Sequence, residues 1–430
     1  MFNSVKRSKK NRYRINKTIK RIRTDSADLS IGMHVVELDR PWTDSPFLFQ
    51  GFCIKNKEDI QTIQECCNYV YIEVIEEEWE EKKPNVKIKK IKRTRYAEKQ
   101  NIASQIKDAN RTYQAAKSHI KLLLTSVQLG QALLTKETQN IVSECVTKVM
   151  QNPNAILWLT RLKSYDDYTA EHSINVSLLA IALGRHMGMD HWDLENLGIC
   201  ALLHDIGKMN VPDEILNKPS RLTTEEFSEM AKHTLYARKL LMERSDIYPG
   251  AVDVAYNHHE RLDGKGYPRG IDASRISLFT RIVTIVDAYD AMTSDRCYKK
   301  GMSSLDALRL INKNKGTQFD AEVAQKFIAM IGLYPPGYLM EMMNGEVGII
   351  LSHDKGFQLR PKVIMVLDAN KEPQPESIIN LSQYPEDLQG VKYQAKAVYR
   401  SGAFGINVSD YINKGLKIKG FDYSIVSDKP

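Results

Sequence analysis

The sequence predicts three folded regions of different class: a small α+β domain, a long all-α helical domain and a small β-rich C-terminal extension. Three observations lead there. Short apolar alternations broken by Gly32, followed by the proline- and aromatic-dense stretch PWTDSPFLFQGFCIKN, mark strands near the N-terminus. From about residue 96 to about residue 330 apolar side chains recur at helical spacing, without the β-rich runs of a parallel sheet. From Gly345 the period drops to two between glycine turns, as in GEVGIILSHDKGFQLRPKVIMVLDAN. The divisions that follow are a basic arm (1–23), the α+β domain (24–75), a charged linker (76–95), connecting helices (96–149), the helical domain (150–340) and the extension (341–430).

Each element has its own signal. KEDIQTIQECCNYVYIEV reads as a helix with Ile60, Ile63 and Cys67 on one face. A strand follows in which Val70, Ile72 and Val74 alternate with Tyr71 and Glu73. ANRTYQAAKSHIKLLLTSVQLG places Tyr113, Ala116, Ile120, Leu123 and Val127 on one stripe; a further helix runs through VSECVTKVMQN until Pro153 interrupts. NVSLLAIALGRHMG, LENLGICALLHDIG, TEEFSEMAKHTLYARKLL, SLFTRIVTIVDAYDAM and SSLDALRLINKN are each helical by period. In the third of these, Phe227, Met230, Leu235 and Leu240 define much of the apolar surface. Thr223 or Thr224 before Glu225–Glu226, and Asp320 before AEVAQKFIAMIG, supply capping signals. Residues 371–430 are turn-rich, with short strand candidates such as KAVYR.

Composition narrows the class. A hydrophobic content of 42% and a charged content of 27% are ordinary for a soluble globular protein. No stretch approaches the roughly eighteen apolar residues of a membrane span. Ten Lys or Arg fall within the first 23 residues with no apolar core behind them, which argues against a secretory signal and for a cytoplasmic protein. The six cysteines lack any C-x-x-C spacing and read as reduced thiols. The net charge of +8 is concentrated in residues 1–23 and in KKPNVKIKKIKRTR, neither of which has the interleaved aromatics of a nucleic-acid reader. Both read as solvated surface, with no specific DNA or RNA partner.

The chemistry gathers in two stretches, His172 to Lys208 and His258 to Pro268. Half of the ten histidines fall at His172, His204, His233, His258 and His259. His204–Asp205 ends the apolar LGICALL; burying both uncompensated is costly, and a metal relieves the cost because each supplies a lone pair. Gly207 allows a tight turn or a close approach, and Lys208, one helical turn from His204, is placed to hold a phosphate oxygen. Adjacent His258 and His259 diverge by about 100° on a helix, so they suit two ions, or one ion and one outer contact. Gly264, Gly266, Pro268 and Gly270 then make a loop, a natural substrate rim, with Asp263 placed to hydrogen-bond a ligating imidazole. Asp287 interrupts IVTIVDAYDAM, where a cation would stabilise its ionised form; Asp290 reads as a capping or pairing group. Arg296 and Lys299 follow at a position that suits phosphate contacts. Five histidines and two aspartates exceed one tetrahedral zinc and suggest at least two divalent cations, iron or manganese before zinc. Two ions about 3.5–4 Å apart can share a hydroxide that attacks phosphorus, which fits the lack of a serine or cysteine nucleophile constellation.

At these residues the sequence resembles the HD-GYP family, bacterial phosphodiesterases of cyclic dinucleotides. YTAEHS, LLHDIGK, the isolated His233, NHHERLDGKGYP and VDAYDAMTSDRCY occur in order across roughly residues 150–335, with HD at 204–205 and GYP at 266–268. IGMHVVELDRPWTDSPFLFQGFCIKN resembles the small DUF3391-type domain often fused before such modules, and YPPGYLMEMMNGEVGII resembles their β extension. The resemblance implies an HD-superfamily helical catalytic domain in which His172, His204, Asp205, His233, His258, His259 and Asp287 are metal ligands, with Asp205 bridging. Asp205 and Lys208 would serve catalysis. Lys208, Arg296 and Lys299 would meet substrate phosphates, and Tyr267 of the GYP loop would help shape the cleft. The implied substrate is cyclic di-GMP, cut to pGpG and onward to GMP. The alternatives are 3',3'-cyclic GMP-AMP as substrate, or a catalytically weak cyclic-dinucleotide receptor. Implied partners are diguanylate cyclase domains at the GYP loop and a second copy in a homodimer. Family members with three metals carry a glutamate four residues before the first ligand histidine. Tyr168 stands there instead, and Glu171 points elsewhere. Two ions, iron or manganese with nickel and zinc as alternatives, are therefore expected without a third, and pGpG is expected to accumulate.

Overall fold

The structure, a computed structural model, describes residues 13–40, 52–81, 102–131, 135–160, 168–295, 301–353, 359–383, 387 and 393–413. The N-terminal sheet holds β1 (Tyr13–Asp25), β2 (His34–Leu38), β3 (Phe52–Cys53) and β4 (Tyr69–Glu81) in the order β1-β4-β2-β3, with helix α1 (Lys57–Cys66) beside it. A reciprocal cap starts α1: the Asn56 side chain accepts from Asp59 N at 2.8 Å and the Asp59 carboxylate accepts from Asn56 N at 3.3 Å. Ile63 and Cys67 then meet Val35, Ile54, Val70 and Ile72 in a small separate core.

Two expected boundaries move. Residues 13–23 are strand rather than arm, and 76–81 continue β4 rather than opening a linker. The antiparallel register sets Arg14 opposite Glu80, Lys17 opposite Glu77 and Arg21 opposite Glu73. Two charge runs that each look like solvated surface are thus neighbouring strands of one antiparallel ribbon.

The central domain is helical: α2 (Ile102–Gln128), α3 (Thr135–Gln151), α4 (Pro153–Leu159), α5 (Tyr168–His186), α6 (His191–Leu203), α7 (Asp213–Leu216), α8 (Thr224–Ala231), α9 (His233–Met242), α10 (Gly250–Asn257), α11 (Leu278–Thr293), α12 (Ser304–Lys313) and α13 (Ala321–Ile331). Helix α5 is buried along most of its length and packs against α2, α6 and α11. Pro153 starts α4 at its first turn, where its missing N–H costs nothing, and Asn152 caps Ala155 N. The stripe from Tyr113 to Val127 lies in the core. TEEFSEMAKHTLYARKLL is two helices, not one: the chain breaks at Lys232, between α8 and α9. The break rotates the stripe, so His233, Thr234, Ala237 and Leu241 are buried while Phe227 and Leu235 are 50% and 43% exposed.

The C-terminal sheet runs β8-β7-β6-β5-β9, from β5 (Leu339–Met342), β6 (Val347–Ser352), β7 (Lys362–Leu367), β8 (Pro373–Asn380) and β9 (Ala395–Tyr399), with α14 (Val408–Asn413) after it. Trp158 of α4 donates to Ile350 O at 2.8 Å, joining this sheet to the helices. Just past β9, Arg400 donates to Asp295 (2.8 Å), Gly301 O (3.0 Å) and Thr293 O (3.0 Å), tying the extension to the exit of α11. Arg360 approaches Glu73 of the N-terminal sheet at 3.5 Å. The architecture agrees with the predicted class. Among the described residues no helix is long and apolar enough to cross a membrane.

Candidate metal centre

The site forms where buried helices stop. Helix α6 is buried at Leu194 and from Asn196 to Leu203 and hands over to His204 and Asp205, after which the chain makes a 3-10 turn, Ile206–Asn210. A Cβ on Gly207 would lie 2.0 Å from His233 O and 2.4 Å from Ala237 N, so only glycine lets this turn rest on the first turn of α9. That approach sets Asp205 beside His233. Helix α10 ends at His258, which faces the same space, with His259 next to it. Helices α5 and α11, which pack against each other, contribute His172 and Asp287.

All seven expected residues converge. They fall into two groups whose donor atoms lie within 4.8 Å of one another: Asp205, His233, His258 and His259, and next to it His172, His204 and Asp287. Asp205 faces both. Its Oδ2 lies 3.2 Å from His204 Nε2 and 3.5 Å from His172 Nε2, whereas its Oδ1 lies 3.4 Å from His233 Nε2 and 3.6 Å from His258 Nε2. His172 Nε2 is also 3.1 Å from Asp287 Oδ1.

The imidazole orientations explain why these atoms are not simply hydrogen-bonded to each other. Nδ1 of His204, His233 and His258 each points at the carbonyl three residues back, Ala201 O (2.7 Å), Met230 O (2.8 Å) and Ala255 O (3.1 Å). These carbonyls belong to the last turns of α6, α8 and α10, where helix acceptors lack an intrahelical partner. A carbonyl can only accept, so Nδ1 carries a proton, and an imidazole protonated there alone presents a lone pair at Nε2. His233 Nε2 and His258 Nε2 thus face each other at 3.4 Å, and both face a carboxylate oxygen. Among the described residues His204 Nε2 and Asp205 Oδ1 are buried without a hydrogen-bond partner. Acceptors crowded against acceptors need a cation between them, and two donors about 2.1 Å from one ion at right angles sit about 3 Å apart. The donor set therefore fits divalent metal ions.

Electrostatics agree. Burial lowers His233 to about 3, and burial together with His258 and His233 holds His259 well below the ordinary range, so both rings are neutral. Burial alone would raise Asp205, but the Lys208 ammonium beside it holds it well below the usual carboxylate range. Asp287 is likewise held low against the opposing effect of burial, with His172 Nε2 3.1 Å from its Oδ1.

Outside the donor shell some expectations change. Asp290, read as a cap or pairing group, accepts from His172 Nδ1 at 2.8 Å and orients that ring. Asp263 does not reach an imidazole: it lies toward solvent and pairs with Arg261 at 2.8 and 3.0 Å, because the loop turns it outward. The carboxylate that organises the loop is Glu260, buried and accepting from Arg269 N (2.7 Å) and Ile271 N (3.2 Å). Its signal was available as the third letter of HHE. A Cβ on Gly266 would meet Glu260 Cα at 2.5 Å, which explains that glycine. Tyr267 stacks on His259, with ring centroids 4.7 Å apart. Lys208 pairs with Asp205 Oδ2. Glu171 is held by Lys117 of α2 at 2.5 Å, and α5 begins at Tyr168. Arg296 and Lys299 lie outside the described residues.

Comparisons with known proteins point to one family. An HD-domain model covers residues 137–323, and the domain of unknown function DUF3391 covers residues 20–138. The cyclic di-GMP phosphodiesterase PA4108 of Pseudomonas aeruginosa is 33% identical over 83% of this chain and 87% of its own length. The chain belongs to the HD-GYP family. Two further relatives match shorter stretches, each about 40% of this chain. The 3'3'-cGAMP-specific phosphodiesterase 3 of Vibrio cholerae is 36% identical over 37% of its length. A cyclic di-GMP phosphodiesterase of Thermotoga maritima is 37% identical over 47% of its length. Membership in an HD-domain family agrees with a divalent-metal site built from the histidines and aspartates above.

Proposed function

We propose that this chain is a metal-dependent phosphodiesterase that hydrolyses cyclic di-GMP to pGpG and then to GMP. The observation that carries the reading is the divided carboxylate of Asp205, one oxygen toward His172 and His204, the other toward His233 and His258. In this reading His172, His204 and Asp287 would hold one divalent cation and His233, His258 and His259 a second, with Asp205 serving both groups. A bound pair of ions lowers the pKa of water and neutralises charge on phosphate oxygens. The chain supplies the rest. Its Nδ1 anchors aim the lone pairs, its buried walls keep bulk water from competing, and Lys208 turns from Asp205 to a phosphate oxygen. Tyr267 shapes the rim, and Arg296 and Lys299, outside the described residues, are assigned with Lys208 to substrate phosphates.

Imidazole with carboxylate suits iron or manganese, with nickel and zinc also accommodated. Tyr168 stands where three-metal relatives carry a glutamate, and Glu171 pairs with Lys117; in this reading two ions bind without a third, the second cleavage is slower and pGpG accumulates. The GYP loop, with its outward Arg261–Asp263 pair, is a docking point for diguanylate cyclase domains, in a cytoplasmic homodimer. A second substrate, 3',3'-cyclic GMP-AMP, is favoured by the match to a cGAMP-specific relative. Anaerobic purification with metal analysis, then product chromatography over time on both dinucleotides, tests all of this. Two ions per chain with no product from either substrate would replace the enzyme with a receptor; GMP appearing with no pGpG phase would remove the slow second step.

A further inference from the structure

Resting on the phosphodiesterase reading, we propose that Phe227 and Tyr267 form a stacking site for one purine base of the dinucleotide. Phe227 stands half exposed on α8, outside the core that its helical spacing suggests. Its ring meets Tyr267 edge-on, with centroids 5.7 Å apart at 80°. Tyr267 in turn lies on His259 at 30°. Of the seven donor residues, only His259 and Asp287 are less than fully buried, so the centre opens on their side. Phe227 is therefore on the rim of that opening, two rings out from a metal-facing histidine.

A substrate with its phosphate at the ions must place its bases on the surrounding surface. A base offers a flat π-face, and stacking on an aromatic side chain needs no matching hydrogen-bond pattern. The two rings stand at 80° with Phe227 half exposed, so a purine set against Phe227 beside Tyr267 covers an otherwise wet aromatic. Phe227 is thus a binding residue for the base and takes no part in the bond cleavage.

The test uses the full-length, metal-loaded protein and three variants, Phe227→Leu, Phe227→Ala and Phe227→Tyr. Steady-state kinetics on cyclic di-GMP are paired with the fluorescence of a cyclic dinucleotide carrying 2-aminopurine, which dims when its base stacks. Phe227→Leu and Phe227→Ala are expected to raise KM on the order of ten-fold, with kcat little changed and the quenching lost. Phe227→Tyr restores both. Unchanged KM, or quenching that persists in Phe227→Leu, overturns the site. So does a KM rise accompanied by lost metal, which would make Phe227 a mere support for the loop. Failure of the underlying reading looks different, because then the wild-type protein turns over no cyclic dinucleotide at all.

Discussion

Asp205 in the helical domain and Glu341 in the C-terminal sheet are both buried carboxylates, 2% and 5% exposed, and their surroundings are opposite in kind. Glu341 accepts from Lys371 Nζ (3.0 Å), Lys396 Nζ (3.1 Å) and Tyr399 Oη (3.0 Å), and these donors hold it down at about 2. Its charge is answered by its own chain. Asp205 has Lys208 on one oxygen, but three of the four imidazoles around it turn lone pairs inward. Burial of charge alone therefore does not mark a functional site. The direction in which the neighbours' protons point does.

The largest expected effect breaks the Asp205 side of this contrast. Asp205→Asn keeps the shape but weakens an oxygen shared by both groups, so metal analysis should find the ions gone and hydrolysis should fall by about 10³-fold or more. A variant that retains two ions would remove the bridging role. Next is chelation of the wild-type protein. At free ion about 100-fold above its Kd, binding stabilises by about 2.7 kcal/mol, so stripping the ions should lower the melting temperature of the helical domain, and Asp205→Asn should be insensitive to chelator. Third, Asp290→Asn should weaken metal affinity by about 10–100-fold, since it disturbs the orientation of His172 without removing a donor; metal titration by calorimetry measures it.

The smallest effect lies on the Glu341 side. Glu341→Gln should cost about 1–2 kcal/mol in urea unfolding, with metal content and KM unchanged. Its pH dependence has a definite sign. The folded carboxyl sits at about 2 against an ordinary 4.5, so its contribution is complete above about pH 4.5 and disappears as the pH falls toward 2. Acid unfolding of the wild type and Glu341→Gln should therefore converge over that window, and parallel curves would show that Glu341 is not answered as described.

Much of the site was legible because polar residues interrupt apolar runs. His204–Asp205 after LGICALL and Asp287 inside IVTIVDAYDAM carry that signal locally, and both converge as expected. Asp290 carried it equally, but its partner His172 is 118 residues away, so its role could not be read from spacing. The break before His233 escaped notice because the apolar period runs unbroken through Lys232. The β1–β4 ribbon was hidden for a related reason: each charged run is unremarkable alone, and only their register pairs them. In general, features set by one segment were readable, and features set by the meeting of two were not.

The Nδ1 bonds to Ala201, Met230 and Ala255 have a consequence for how such a protein is supplied. Because the spacing of these rings is dictated by three helix ends, an incoming ion must adapt to a rigid frame instead of moulding it. A frame of imidazoles and carboxylates discriminates poorly among first-row metals. Which divalent element ends up inside is then decided by what the cell keeps in stock, and a shift in that stock would change the occupant while the polypeptide stays the same.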